Sequence, residues 1–175
     1  MEIFLKALIA AVLTLVIERI PKYLSSRRIR ERHSDLLMRD WYGYHFSFKQ
    51  GEPALFKSEW VITKGIMTPF KLSFAINNTL KYNGKLVFEG DDRIIFYGKS
   101  TTQEEYVVFR FPNPIGTNIE LVRGLWLSYD HDKHISSGGF LLSSQPLTDT
   151  KAEEELKKID IASFGMNIPL MRVTK

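Results

Sequence analysis

The chain of 175 residues contains no cysteine. Disulfide bonds, thiol catalysis and cysteine-ligated zinc are therefore excluded. The sequence also lacks low-complexity tracts and internal repeats, which excludes repeat architectures. It has none of the GxSxG, Walker, HExxH or glycine-rich phosphate-binding motifs that mark many hydrolases, proteases and nucleotide-using enzymes. We therefore predict that the protein is not an enzyme and that it has no catalytic residue, no metal and no cofactor.

The basic charge of the chain is concentrated near its N-terminus. The formal net charge is +4, and the stretch from residue 21 to residue 39 accounts for all of it. The rest of the chain is neutral, so the sequence does not predict a general surface for DNA or RNA polymers. The basic side chains of this stretch are Lys22, Arg27, Arg28, Arg30, Arg32 and Arg39.

The segment before this basic stretch has the composition of a membrane span. Residues Ile3 to Ile20 are mostly apolar, and a helix of this length reaches about 27 Å, near the thickness of a hydrocarbon core. Lys6 at one end and Glu18 and Arg19 at the other can snorkel toward the interfaces. A signal peptide would need a small-residue cleavage site after the segment, and a surface helix would need a polar face. We predict a single-pass anchor.

The charges around this segment predict its orientation. Because the basic stretch follows the apolar segment, the positive-inside rule keeps the C-terminal side in the cytoplasm. The arginines are expected to lie at anionic lipid headgroups, which makes membrane lipids a predicted partner. The sequence thus divides into a transmembrane anchor (1–24), a basic juxtamembrane connector (25–39) and a cytoplasmic domain (40–175).

From residue 40 onward the apolar residues recur with a period of two, which predicts β-strands. In the first run, WYGYHFSF, the Tyr and Phe residues alternate with Gly43, His45 and Ser47, so that one face of the strand is apolar. Further strand-like runs follow, separated by turn-forming sequences. They are LFKSEWVIT, FKLSFAI, KLVFEG, RIIFYGK, EYVVFRF, IELVRGLWLSY and GGFLLSS.

These runs predict an all-β fold, a small closed antiparallel β-barrel of about eight strands that is lipocalin-like. Closure is favoured because strands this apolar, left at an open sheet edge, would tend to pair with other chains and aggregate. Asn83-Gly84 is consistent either with a hairpin turn or with a bulge inside a strand. A short C-terminal helix is predicted over Thr148–Ile159, with Thr148 or Asp149 as its cap, and it is too polar to be central.

The sequence Asp130-His131-Asp132-Lys133-His134 raises the question of a metal or acid–base site. A His-x-x-His pair can bind zinc, but the sequence indicates no third ligand. Strand-like runs flank the cluster, and its residue types are those of a solvated hairpin connection. We interpret it as a loop.

Candidate binding residues are basic and aromatic side chains within the predicted strands. Arg110 and Arg123 are the most informative, because each interrupts an otherwise apolar run and would pair with an anion such as a phosphate. Aromatic side chains near them in the pattern are suited to stacking on bases. The alternative for each basic residue is a solvated charge on the outside of the barrel. The other candidates are Lys71, Tyr44, Tyr97, Trp126 and Tyr129.

Two short motifs and the overall architecture resemble a known family. The motifs are Asp40-Trp41-Tyr42-Gly43 at the start of the first strand, and Gly124-Leu125-Trp126 followed by Ser137-Gly138-Gly139-Phe140-Leu141-Leu142-Ser143 in a late hairpin. With the anchor, the basic connector and the barrel, they resemble the SMODS-associated two-transmembrane, β-strand-rich effectors of bacterial CBASS antiviral systems. This chain departs from the family pattern in having one predicted span instead of two.

The resemblance implies an antiviral effector in the bacterial inner membrane. Its barrel would bind a cyclic dinucleotide made by a partner nucleotidyltransferase, and binding would drive homo-oligomerisation, membrane disruption and cell death. A single-span relative could instead be restrained by the nucleotide until phage removes it. Two alternatives from the residues themselves stay open, namely a membrane-tethered carrier of an apolar small molecule and a purely structural interaction module.

Overall fold

The computed structural model describes residues 14, 17, 20, 21, 23–34, 40–65, 68–76, 80–89, 93–113, 120–129, 134–159 and 171–172. A helix, α1, covers residues 23–32, and the four described positions before it are helical too. Eight long strands follow, then helix α2 and a short strand, β9. Their bounds are β1 Trp41–Lys49, β2 Glu52–Lys64, β3 Phe70–Ile76, β4 Leu80–Glu89, β5 Arg93–Ser100, β6 Tyr106–Pro112, β7 Leu121–Tyr129, β8 Ile135–Ser143, α2 Asp149–Lys157 and β9 Met171–Arg172.

The strands form a closed antiparallel barrel. Each strand from β1 to β8 pairs with the next, and β1 also pairs with β8, with Tyr42 opposite Ser143 and His45 opposite Phe140. Strand β9 pairs with the start of β8. Closure leaves none of these eight strands with an open edge, as the apolar runs require. The predicted closed barrel of about eight strands is confirmed.

Local sequence explains two of the connections. Gln50 and Gly51 both have positive φ, 56° and 81°, as in the two-residue turns that match strand twist. Helix α2 begins after Thr148, whose side chain accepts a hydrogen bond from the Lys151 backbone N–H. The predicted C-terminal helix and its Thr148 cap are therefore confirmed.

Asn83-Gly84 forms neither a hairpin turn nor a bulge. Both residues lie inside β4, where Gly84 pairs with Leu72 of β3 and with Gly98 of β5 in an uninterrupted register. A glycine is required here by close approach, since a Cβ would lie 1.9 Å from the Tyr97 carbonyl oxygen and 2.6 Å from the Phe96 ring.

Gly84→Ala is therefore expected to lower the free energy of unfolding by about 1–3 kcal/mol, the usual cost of overpacking. Denaturant unfolding monitored by circular dichroism measures this change. Gly51→Ala is a useful comparison, because a Cβ at Gly51 meets no atom within 4 Å and only its positive φ opposes the substitution. A Gly84→Ala protein as stable as wild type would contradict the described approach of β4 to β5.

Large aromatic side chains fill the described interior of the barrel. Trp60 is buried there, and its ring stacks on Phe74 and Phe140 with centroid distances of 5.5 and 5.1 Å. An eight-stranded barrel has an interior just wide enough to be filled by side chains. The other buried members of this cluster are Trp41, Phe70, Leu72, Tyr82, Leu86, Ile94, Phe96, Val107, Phe109, Phe111, Val122, Trp126 and Leu142.

Strand β1 has the opposite orientation to the one that its apolar face suggests. Gly43, His45 and Ser47 are buried on the inner side, while Tyr44 lies in a separate outer cluster beneath α2. The small residue at position 43 leaves room for Trp60 and Phe140, since a Cβ there would lie 2.6 and 3.0 Å from atoms of those rings. The outer aromatic face of β1 is covered by α2, whose packing residues are Ala152 and Leu156 together with Ile159 after the helix.

Candidate functional site

The residues that the sequence predicts as ligand-binding candidates lie on both sides of the barrel wall. Trp126 points inward and is buried. Tyr44 lies outside, beneath α2, where its hydroxyl accepts a hydrogen bond from the Leu147 backbone N–H at 2.7 Å. The remaining candidates are exposed on the outer face, and they are Lys71, Tyr97, Arg110, Arg123 and Tyr129.

Each of the two arginines pairs with a carboxylate of the chain. Arg110 Nη2 donates to Glu89 Oε2 at 3.2 Å, and both side chains are about half exposed. Arg123 Nη2 donates to Glu155 Oε2 of α2 at 2.5 Å. Hydrogen bonds from Lys158 and from Arg123 lower the pKa of the Glu155 carboxyl. The structure thus places both arginines outside the barrel, which is the alternative that the sequence left open, and any ligand contact they make has to be at that outer surface.

One end of the barrel interior is polar, and we call it the serine end. It is the end at which β1, β3, β5 and β7 finish and β2, β4, β6 and β8 begin, and buried Ser47, Ser100, Ser128 and Ser136 lie there. Tyr82 donates from its hydroxyl to Glu105 Oε2 at 3.1 Å at this end. Burial, followed by the charge of Glu105, raises the pKa of Tyr82.

Next to the serine end, two buried ring nitrogens have no hydrogen-bond partner among the described residues. They are His45 Nδ1 and Trp126 Nε1, on rings whose centroids are 4.8 Å apart. The His45 ring also stacks on Phe56 at 5.6 Å. Burial among these rings lowers the pKa of His45 to about 3, so the imidazole is neutral at physiological pH.

The polar sequence at 130–134 connects two paired strands. Tyr129 at the end of β7 is opposite Ile135 at the start of β8, as in a hairpin. Positions 130–133 lie outside the described residues, and His134 is partly buried. Among the residues that the structure does describe, no group of three His, Asp or Glu side chains could hold a metal ion.

The other end of the barrel, which we call the helix end, is covered by the C-terminal part of α1. His33 is buried there, stacked on Phe88 with a centroid distance of 4.5 Å. Asn113 Nδ2 donates to His33 Nδ1 at 3.3 Å, and Ile29 packs against the barrel interior. Ile29 and His33, which belong to the predicted juxtamembrane connector, are therefore packed into the barrel's core.

Beside this junction lies an open cleft of about 610 Å³, which we call the basic cleft. One wall is the face of α1 that carries Tyr23, Arg27, Arg30, Glu31 and Ser34, and the other wall is Lys64 and Gly65 at the end of β2. Arg30 donates from Nη1 to the Gly65 carbonyl, and its guanidinium lies 5.9 Å from the centre of the Tyr23 ring. A cleft of this volume is in the range of small-molecule sites.

Sequence reasoning missed both His45 and the basic cleft. The alternation in β1 showed that His45 and Tyr44 lie on opposite faces, but its apolar Tyr and Phe side suggested the wrong face as the inner one. The basic residues of α1 were visible as a charge cluster, whereas Lys64 gave no signal because it belongs to a distant strand. A cleft formed by two elements needs the tertiary structure to be recognised.

Within the part of the chain that the structure describes, no helix has both the length and the apolarity needed to cross a membrane. The predicted span Ile3–Ile20 lies outside the described residues, apart from positions 14, 17 and 20.

Comparisons of the chain with models of protein families, with curated proteins and with solved structures found no match.

Proposed function

We propose that the chain is a membrane-anchored receptor in which the barrel domain binds a cyclic (di)nucleotide and controls the N-terminal segment through α1. The observation that supports this best is the packing of α1 into the helix end of the barrel. His33 and Ile29 follow the apolar segment by only a few helical turns, and both are packed against barrel side chains. A change in the barrel at this end would therefore alter the position of α1 and of the segment before it.

In this proposal a partner nucleotidyltransferase supplies the ligand, and the nucleotide controls the association of several copies. Clustered N-terminal segments then disrupt the inner membrane of the bacterium and kill the cell, which limits phage infection. The family resemblance and the basic residues that directly follow the apolar segment support this part. Among the described residues, side chains pack the barrel interior, which gives no support to the alternative of a lipocalin-like carrier with an open lumen.

Full-length protein is expected to remain with membranes after carbonate and high-salt washing, because the arginines alone would only adsorb. Release from membranes by salt alone would contradict the anchor.

The protein purified in detergent is expected to bind a cyclic dinucleotide, measured by calorimetry and by mass spectrometry of retained small molecules. The absence of both heat and a thermal shift with every cyclic dinucleotide tested would contradict the receptor.

The coupling step is tested by His33→Ala in cells that also make the nucleotide. The substitution removes the ring that stacks on Phe88 and accepts from Asn113, so α1 should no longer follow the state of the barrel. Nucleotide control of killing should be lost, with killing abolished if the nucleotide activates and constitutive if it restrains. Ser25→Ala, at an exposed position of α1, is the control and should behave as wild type. Intact control in the His33→Ala protein would contradict the coupling.

A further inference from the structure

The charges of the basic cleft are unbalanced. Among the described residues that line it, Glu31 is the one carboxylate, and that group is already paired with Arg27 Nε at 2.8 Å. The hydrogen bond and the charge of Glu31 raise the pKa of Arg27. Arg30 and Lys64 therefore face the cleft without a carboxylate partner among the described residues, and they come from two different elements. Like charges brought together in this way favour a bound anion.

The contacts of Arg30 orient its side chain while leaving donors available. One nitrogen is engaged by the Gly65 carbonyl, and the guanidinium is held against the Tyr23 ring. A guanidinium has five N–H groups in a planar fork, which suits two oxygens of a phosphate, while a lysine adds a mobile point charge. Lys64 lines the cleft, and among the described residues none forms an ion pair with it.

Exposed apolar side chains lie on α1 and on the helical positions before it. They are Ile17, Ile20 and Leu24, whose spacing is that of one helical stripe. The cationic positions 27 and 30 lie on the neighbouring stripe, toward the C-terminal end. A ligand with a phosphate and an apolar or aromatic body would contact both stripes, with the phosphate at Arg30 and Lys64.

We propose that the basic cleft is a phosphodiester-binding site, with Arg30 and Lys64 as its cationic contacts and Tyr23 as the ring that packs beside the ligand. A phosphodiester at this position is supplied either by the headgroup of a membrane phospholipid or by a free cyclic dinucleotide. Its occupation would link α1 to the end of β2 and so hold the helix against the barrel. This inference stands on the cleft alone and does not depend on the proposed receptor function.

The test uses full-length protein in a neutral detergent, titrated by calorimetry with four separate probes. The probes are dihexanoyl phosphatidylglycerol, cyclic di-GMP, cyclic di-AMP and dihexanoyl glycerol, the last of which has the same chains as the lipid without a phosphate. We expect binding of at least one phosphodiester and none of dihexanoyl glycerol. Binding of the lipid alone identifies a headgroup site, and binding of the nucleotide alone identifies a nucleotide site; either result supports the proposal.

Charge-removing variants then locate the site. Lys64→Gln is the cleanest, since Lys64 has no ion pair with any residue described, and it is expected to weaken binding about tenfold. The double variant Arg30→Gln with Lys64→Gln is expected to weaken binding about a hundredfold. Arg30→Lys, which keeps the charge, is expected to lose less affinity than Arg30→Gln. Thermal unfolding of each variant checks that it is folded.

The matched control removes the same net charge elsewhere, by Lys81→Gln with Lys151→Gln, both exposed and outside the cleft. This control should keep the affinity within twofold of wild type. An equal loss of affinity in the control and in the cleft variants would show nonspecific attraction and overturn the proposal. So would a wild-type protein that binds none of the phosphodiesters, or a folded Lys64→Gln variant with unchanged affinity.

Discussion

Trp60→Ala is expected to lower the free energy of unfolding by about 3–5 kcal/mol, the range for removing a buried aromatic side chain. The indole is 3% exposed and donates from Nε1 to Ser58 Oγ at 2.9 Å. Its ring has five phenylalanine rings within 5.9 Å, so the substitution leaves a cavity that this rigid surround cannot close. Those rings belong to Phe74, Phe96, Phe109, Phe111 and Phe140.

The adjacent position provides a matched control for Trp60→Ala. Val61 points outward and is 58% exposed, so Val61→Ala should change the unfolding free energy by no more than about 0.5 kcal/mol. Both values come from urea unfolding followed by circular dichroism, because the tryptophan signal itself changes in one variant. If Trp60→Ala lowered the unfolding free energy as little as Val61→Ala does, the interior would not be packed around Trp60.

The barrel is expected to lose stability as the pH falls below about 6.5, because His45 is buried in neutral form. Burial lowers its pKa to about 3, whereas a histidine in the unfolded chain titrates near 6.5. Between these two values the unfolded chain binds a proton that the folded barrel does not bind. His45 therefore lowers the unfolding free energy by up to about 1.4 kcal/mol per pH unit in this window and has no such effect above it.

His45→Phe isolates this contribution from that of the other titrating groups. The phenyl ring can keep the contacts with Phe56 and Trp126, and it removes the nitrogen that has no described partner. At pH 7 the variant should be as stable as wild type or more stable, since an unsatisfied buried polar atom costs about 1–3 kcal/mol. Between pH 6 and pH 4 its stability should fall less steeply than that of wild type.

Urea unfolding at a series of pH values measures how steeply the unfolding free energy of wild type and of His45→Phe changes with pH. Val61→Ala, which removes no titrating group and lies at an exposed position, serves as the control and should keep the wild-type slope. Parallel slopes for wild type and His45→Phe would contradict a neutral, buried His45.

Local features of the sequence were sufficient for the elements of the barrel. Alternating apolar residues located all eight long strands, because a strand exposes its two faces to different surroundings at every second residue. The turn at Gln50-Gly51 and the cap at Thr148 depend on neighbouring residues only, so their chemistry was visible in the sequence. Closure followed from the apolar character of the runs, which leaves no strand suited to an open edge.

The inner and outer faces of the barrel were decided by tertiary packing. Alternation separates Tyr44 from His45, but the face that turns inward depends on what lies opposite. Trp60 and Phe140 occupy the interior beside Gly43, and α2 covers the outer aromatic face, so the less apolar side of β1 is the buried one. For the same reason Arg110 and Arg123 could be recognised as unusual but could not be assigned to a face.

The basic cleft and the position of α1 were decided by contacts between residues that are far apart in the chain. Arg30 and Lys64 are 34 positions apart in the sequence, and His33 meets Asn113 across 80. Charge and apolar patterns extend over a few neighbouring residues, so they predict a basic connector but not what it packs against. Only the closed barrel, which brings Gly65, Phe88 and Asn113 to one end, creates the surface that receives the helix.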